Sequence, residues 1–153
     1  MSATTFSIRV EDRTRLIQAA FEAKEFAYSK YSNFRVGASL LTPSGEIIKG
    51  ANIENASYGK TAFVKAVSEG KSSFTALAVV TDVASPLSPC GMCRQVIREF
   101  CKQQMPILLV PCDYETRLAN GEPDGGVKET SIAALLPDSF GPEDLERPRP
   151  GSK

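Results

Sequence analysis

The stretch that decides the fold runs from Phe74 to Phe100 and reads FTALAVVTDVASPLSPCGMCRQVIREF. Its first part, FTALAVVTD, is a nearly continuous apolar run, which is typical of a strand that is buried on both faces. A loop rich in Ser and Pro follows. GMCRQVIREFCKQQ then predicts a helix with one apolar side, formed by Met92, Val96, Ile97 and Phe100. The next apolar run, PILLVPCD, predicts a second buried strand, so this region predicts a strand, a helix and a strand in succession.

The residues before this stretch predict a helix, a hairpin and a second helix. Apolar positions recur at helical spacing from Glu11 to Lys30, as in an amphipathic helix. The β-like runs Val36–Leu41 and Ile47–Ile48 flank a Pro-Ser-Gly turn, which indicates a hairpin. TAFVKAVSEGK predicts a short helix that ends at Gly70, since glycine closes helices by adopting positive φ.

The order of these elements predicts an α/β fold. Strands flanked by helices at this spacing favour a three-layer α/β/α sandwich around a mixed sheet. The segment TRLANGEPDGGVKET is turn-rich, and SIAALLPDSFGPEDL predicts a short helix that stops before Pro137. The 153 residues suit a single domain over 1–153, with loose tails at about 1–10 and 146–153.

The composition argues against several classes of partner. Lys and Arg total 18, Asp and Glu total 18, and the formal net charge is zero, so nothing favours nucleic-acid or membrane-surface binding. No apolar run approaches the ~18 residues of a membrane span, and the N-terminus lacks the apolar core of a secretory signal. We therefore expect a cytoplasmic protein with reduced thiols, whose four cysteines indicate metal binding or catalysis rather than disulfides.

Two of these cysteines, Cys90 and Cys93, stand three apart at the predicted helix start, where the helix dipole favours thiolates. They form half of a zinc site, a redox dithiol, or a chance pair of small buried residues. The chain contains no histidine to complete a zinc site. Cys101 lies ~12 Å further along the same helix, and Cys112 is better explained as a small apolar core residue.

Three longer motifs resemble a known family. YSNFRVGASLLTPSGEIIKGANIENASYG, SPCGMCRQVIREF and ALLPDSFGPEDL strongly resemble the small homotetrameric, zinc-dependent cytidine deaminases, over roughly Glu11 to Leu145. The resemblance implies that family's α/β fold, its homotetramer, and deamination of cytidine or deoxycytidine with release of ammonia in pyrimidine salvage. In zinc deaminases, a zinc-activated water attacks C4 while a glutamate that is not a ligand shuttles protons.

The resemblance also assigns roles to residues. By the family pattern, Phe34 packs on the pyrimidine ring of a nucleoside, and Asn52 and Glu54 hydrogen-bond the ribose hydroxyls. Cys90 and Cys93 match two of the three zinc ligands. The next residue, Arg94, matches an arginine that damps the negative charge of the thiolates. Without the resemblance, these positions are core, loop polar groups and a surface arginine.

The chain departs from the family at one place. The third zinc cysteine and the catalytic glutamate belong to a Cys-Ala-Glu-Arg motif at the start of the helix after NIENASYG. Here the sequence runs NASYGKTAFVKAVSEG, so roughly six residues are missing. No catalytic residue is therefore assigned, and zinc has two of its three family ligands.

The gap is predicted to change the structure on both of its sides. We expect the preceding loop to stretch and the helix to start late, because an apolar stripe survives at Ala62, Phe63, Ala66 and Val67. The vacated slot is then a cavity or fills with water. Three explanations of the chain stay open: a short in-frame loss from an ordinary enzyme, which the intact flanks favour; a catalytically dead nucleoside-binding or regulatory paralogue; and, less favoured, a thiol oxidoreductase.

Overall fold

The computed structural model describes residues 8–54 and 62–148. Those residues form five strands and six α-helices, with one 3₁₀ helix at Pro123–Gly126. In chain order the elements are α1 (Val10–Lys24), β1 (Val36–Leu41), β2 (Ile47–Ala51), α2 (Ala62–Ser68), β3 (Ala76–Thr81), α3 (Gly91–Phe100), β4 (Ile107–Val110), α4 (Tyr114–Ala119), β5 (Lys128–Thr130), α5 (Ile132–Leu135) and α6 (Pro142–Leu145).

The five strands form one sheet in the order β2-β1-β3-β4-β5. The pairs β1–β2, β1–β3 and β4–β5 are antiparallel, whereas β3 and β4 are parallel and are connected through α3. The sheet is therefore mixed, as predicted. Its hairpin also follows the sequence, since the turn between β1 and β2 contains Gly45 with φ of 83°.

Buried side chains form two clusters, one on each face of the sheet. On one face lie α2 and α3, and the cluster there includes Phe63 and Ile97. On the other face lies α1, whose Leu16 and Ile17 are almost fully buried. Each such side chain stabilises the fold by about 1.5–3 kcal/mol. The predicted three-layer α/β/α sandwich is confirmed.

The first helix is shorter than predicted. It ends at Lys24 instead of Lys30, because the following residues pair with a distant segment. The Tyr28 N–H donates to the Asn52 carbonyl at 2.9 Å, and the Glu54 N–H donates to the Tyr28 carbonyl at 2.7 Å. This parallel bridge between residues 28 and 53 requires extended backbone.

The helix α3 begins as predicted but differs in two details. Met92 is 61% exposed, although the sequence placed it on the apolar side. It lies about 140° round the helix from the buried Ile97, so only part of the predicted stripe faces the sheet. Cys101 has extended backbone and is buried, so the helix ends at Phe100.

The helix α2 keeps most of its predicted apolar stripe. Ala62, Phe63 and Ala66 are buried, whereas Val67 is 36% exposed, contrary to the prediction. The predicted end at Gly70 is confirmed, with φ of 78° and an N–H that donates to the Val67 carbonyl. The predicted stretched loop, most of the loose N-terminal tail and the last residues of the C-terminal tail lie outside the described residues. Within the described ranges, no helix is long and apolar enough to cross a membrane.

The helix α1 approaches the sheet closely at Gly37 in β1. A Cβ added there would lie 2.1 Å from the Ala20 carbonyl oxygen and 2.6 Å from the Lys24 backbone nitrogen. Because both neighbours are backbone atoms of α1, no side-chain movement can relieve the clash. The position therefore sets how close α1 packs on the sheet.

We predict that Gly37→Ala lowers the free energy of unfolding by about 1–3 kcal/mol, since overpacking forces α1 away from the sheet. Urea denaturation measures the change. Gly91→Ala is the matched control, because nothing lies within 4 Å of its added Cβ. It should leave stability unchanged or raise it. Equal stability of Gly37→Ala and the parent protein would contradict the packing argument.

Candidate functional site

A cavity of about 350 Å³ lies where α2 and α3 begin against β1 and β3. Its walls are mostly apolar side chains of these four elements. Phe34, Asn52, Cys90 and Cys93 also line it, so four of the predicted site residues come together there. The start of α2 contributes Ala62 and Phe63. The cavity therefore adjoins the position at which the sequence lacks the Cys-Ala-Glu-Arg motif.

The cysteine pair sits at the start of α3, as predicted. Cys90 is the N-cap residue with φ of −64° and ψ of 165°, and Cys93 lies in the first turn. Their Sγ atoms are 3.4 Å apart, which is close enough for both to reach one ion. Cys90 is exposed and Cys93 is half-buried. The geometry supplies two soft ligands on one helix turn.

A catalytic zinc site requires three protein ligands. Within residues 8–54 and 62–148, no group of three His, Cys, Asp or Glu side chains could hold a metal. The remaining residues, 1–7, 55–61 and 149–153, contain none of these four residue types. The residues present therefore do not fit the family's zinc.

The other two cysteines do not join the pair. Cys101 is buried at the end of α3, and burial raises the pKa of its thiol to about 12. It is therefore a protonated core residue at neutral pH. Cys112 is only half-buried, so the prediction of a core residue holds in part. Its N–H donates to the Val83 carbonyl at 3.0 Å.

Arg94 follows the pair and binds two backbone carbonyls. Its Nε donates to the Pro89 oxygen at 2.7 Å, and its Nη1 donates to the Leu135 oxygen at 2.7 Å. The side chain thus connects the loop before Cys90 and the end of α5 to α3. Its charge stands beside the cysteine pair, and the predicted damping of thiolate charge stays a prediction.

Asn52 lies directly after β2 and holds the backbone around Phe34. Its Nδ2 donates to the Phe34 carbonyl at 2.9 Å, and its Oδ1 accepts from the Val36 N–H at 2.8 Å. Since a side-chain amide has two donor hydrogens and two acceptor lone pairs, half of its capacity remains for a ligand. Binding of a ribose hydroxyl stays a prediction for this residue.

Glu54 is buried, and the structure does not place it among the described residues that line the cavity. Its carboxylate accepts the N–H groups of Tyr31 and Ser32, each at 3.0 Å, and the Ser32 hydroxyl. Ser32 is the main reason that the pKa of Glu54 lies below its ordinary value. The predicted ribose contact would therefore use the same carboxylate that already accepts hydrogen bonds from Tyr31 and Ser32.

Two polar residues near Phe34, Ser32 and Asp82, were not predicted from the sequence. The Ser32 Oγ accepts the Phe34 N–H at 3.0 Å. Asp82, which directly follows β3, accepts the Arg35 N–H at 2.8 Å. A polar residue at the carboxyl end of a buried strand is a signal for a site in α/β proteins. That signal alone does not say which segment the side chain contacts.

The comparison with family models decides the identity. Residues 10–109 match the model described as the cytidine and deoxycytidylate deaminase zinc-binding region. The chain belongs to this family. The match includes all the described residues that line the cavity, from Phe34 to Ile97.

Named relatives and solved structures agree with this assignment. Cytidine deaminase from Sporosarcina psychrophila is 49% identical over 140 residues, which covers 88% of this chain and 95% of the relative. That from Halalkalibacterium halodurans is 45% identical, with 88% and 98% covered. The crystal structure of cytidine deaminase from Burkholderia pseudomallei superposes with a TM-score of 0.70 at 40% identity, covering 83% of this chain and 98% of that one. The predicted fold and family are confirmed.

The hydrogen bonds to Glu54 predict a pH-dependent stability. Because its folded pKa is lowered, Glu54 stabilises the fold fully above its ordinary pKa of 4.5, and this contribution is lost as pH falls through the folded pKa. Glu54→Gln should therefore unfold more easily than the parent at about pH 7, and the gap should narrow below about pH 4.

Urea denaturation at several pH values measures this gap. Glu99→Gln, on the exposed side of α3, is the matched control and should match the parent at each pH. A Glu54→Gln gap of constant size across the pH range would show that ionisation of the Glu54 carboxylate does not couple to folding.

Proposed function

We propose that this chain has the nucleoside pocket of a cytidine deaminase and binds a pyrimidine nucleoside, but has little deaminase activity in its present sequence. One observation carries the proposal. The described residues that line the cavity include two thiols, an amide and the hydroxyls of Thr81 and Ser88, but no carboxylate and no histidine. The pocket can therefore bind a pyrimidine ring without removing its amino group by hydrolysis.

The chemistry explains why these residues are insufficient. Hydrolytic deamination adds water at C4 and expels ammonia, so one proton leaves the water and another reaches the amine. Side chains that exchange protons near neutral pH are required for both transfers. When bound, the family's zinc supplies an activated water, but two thiols hold it poorly. Asn52, Thr81 and Ser88 do not exchange protons readily in this range. A thiol that binds the metal does not also serve as the proton shuttle, so no lining group is left for that task.

The favoured origin is a short in-frame loss from an ordinary cytidine deaminase. Both flanks of the gap keep the family pattern. The alignment with the Sporosarcina psychrophila relative is 140 positions long, but it includes only 88% of this 153-residue chain, which is about 135 residues. About five positions of the alignment therefore have no residue in this chain. The same facts are compatible with a nucleoside-binding or regulatory paralogue. A thiol oxidoreductase is a weaker candidate, favoured only by the 3.4 Å separation of the cysteine sulfurs.

Assembly and location follow the family in this proposal. We infer a single-domain homotetramer in the cytoplasm, and pyrimidine salvage is the role of the form that carries the missing segment. Supporting the assembly, large apolar side chains are exposed on neighbouring segments, with Phe26 83%, Tyr28 52%, Tyr31 63% and Ile53 49% exposed. Burial of such groups drives protein association. Size-exclusion chromatography with light scattering measures the number of subunits.

The test restores the missing chemistry. A six-residue insertion that ends in Cys-Ala-Glu-Arg, placed between Lys60 and Thr61, should raise cytidine turnover in zinc-containing buffer by at least about 10³-fold. That increase is expected because it adds the third ligand and the proton shuttle together. A matched insertion that ends in Ser-Ala-Gln-Arg has the same length but neither group, and it should stay inactive.

Two further results decide the proposal. Calorimetry should detect cytidine binding to the parent chain without uridine formation. Substantial turnover by the parent chain, abolished by a chelator, would show that another group completes the site. Failure of the parent chain to bind cytidine would remove the proposed nucleoside pocket.

A further inference from the structure

The segment of residues 31–36, called here the Phe34 segment, is held by three side chains from two distant places, the end of β2 and the end of β3. Glu54 accepts the N–H groups of its first two residues, and Asn52 accepts the N–H of its last. Asp82 accepts the N–H of Arg35. Residues 31–35 precede β1, and Val36 is its first residue. The three side chains therefore satisfy backbone N–H groups at the entry to the strand. Two of them are the residues that the family pattern assigns to ribose, and Asp82 is not.

Asp82 is itself fixed from two sides. Its Oδ2 accepts the Arg35 backbone N–H at 2.8 Å, and its Oδ1 accepts Nη2 of the same residue at 3.0 Å. The Lys24 Nζ lies 3.2 Å from Oδ1 and also donates to the Thr81 carbonyl at 3.2 Å. Lys24 is buried, so this ammonium has a defined position at the end of β3. The carboxylate therefore connects β3 and α1 to the Phe34 segment.

Glu25 provides an instructive contrast. It also pairs with Arg35, but only through Nη1 at 3.3–3.5 Å, and its side chain is 64% exposed. Within the part of the chain that the structure describes, its carboxylate forms no hydrogen bond with the backbone of the Phe34 segment. Surface ion pairs of this kind contribute little to the stability of the fold. Removing Glu25 or Asp82 takes one carboxylate from Arg35, but only Asp82 bonds to the peptide next to Phe34.

We propose that Asp82 is a positioning residue for nucleoside binding, which holds the Phe34 ring at the cavity through the Arg35 amide. The proposed effect of Asp82 on the position of the Phe34 ring does not require a bound ligand. The consequence for affinity rests on the proposed function, in which this ring packs on the pyrimidine. Asp82 lies outside the described cavity lining, so it acts through Arg35 and Phe34.

The first experiment needs no nucleoside. The chain contains no tryptophan, so Phe34→Trp introduces a single tryptophan at the cavity wall, which can be excited selectively over the four tyrosines. Adding Asp82→Ala should shift its emission to the red and lower its anisotropy, because the indole gains water contact and mobility. Adding Glu25→Gln should leave both unchanged. Unchanged emission and anisotropy with Asp82→Ala would overturn the proposal.

The second experiment measures affinity by calorimetry with cytidine. Asp82→Ala should weaken binding about three- to tenfold, the range expected from losing one aromatic packing contact. It should cause no further loss in a Phe34→Ala background, because both changes remove the same contact. Asp82→Asn should restore part of the affinity, since its amide oxygen can still accept the Arg35 N–H. This variant also serves if Asp82→Ala does not fold.

A purely structural role predicts a different result. Asp82→Ala and Asp82→Asn would then lower the melting temperature while the cytidine affinity of the folded protein stayed the same, and this outcome overturns the proposal. If no form of the chain binds cytidine, the proposed function fails. The tryptophan emission still decides whether Asp82 positions residue 34.

Discussion

The central strand β3 is the constraint on which the rest of the structure depends. It pairs antiparallel with β1 and parallel with β4, and all six of its residues are buried. A parallel neighbour requires a crossover connection, and here α3 provides it. The crossover sets the start of α3, and with it the cysteine pair, near the carboxyl end of β3. Thr81 ends β3 and lines the cavity, and Asp82 follows it and binds the Arg35 N–H, so the end of one buried strand organises both the cavity and the Phe34 segment.

The sequence predicted the elements whose signal is local. Apolar runs of four to six residues gave β3 and β4, and the Pro-Ser-Gly turn gave the hairpin. The end of α1 could not be predicted in this way, because hydrogen bonds between Tyr28 and residues 52–54 stop the helix. The burial of Met92 was predicted wrongly. Helical spacing shows which residues share a side of the helix, but it fixes the direction in which the core lies only to within about a third of a turn.

In the candidate site, too, features that neighbouring residues indicate were predictable, whereas contacts between residues distant in sequence were not. The cysteine pair was evident from spacing, and the ring and ribose positions came from the family pattern. The partners of Glu54 and Asp82 were not predictable, since nothing near Asp82 in sequence indicates a bond to an amide 47 residues earlier. The gap before α2 was visible in the sequence, whereas the cavity beside it needed the packed sheet and helices to define its walls.

The sheet order has a consequence for how copies of the molecule meet. Its two edges are β2 and β5. The strand β5 is only three residues long and begins with exposed Lys128, while β2 carries exposed Lys49, whose Nζ pairs with Glu22. Short edge strands and lysines discourage a foreign strand from continuing a sheet. These two edges therefore disfavour extension of the sheet from one copy to the next through backbone hydrogen bonds.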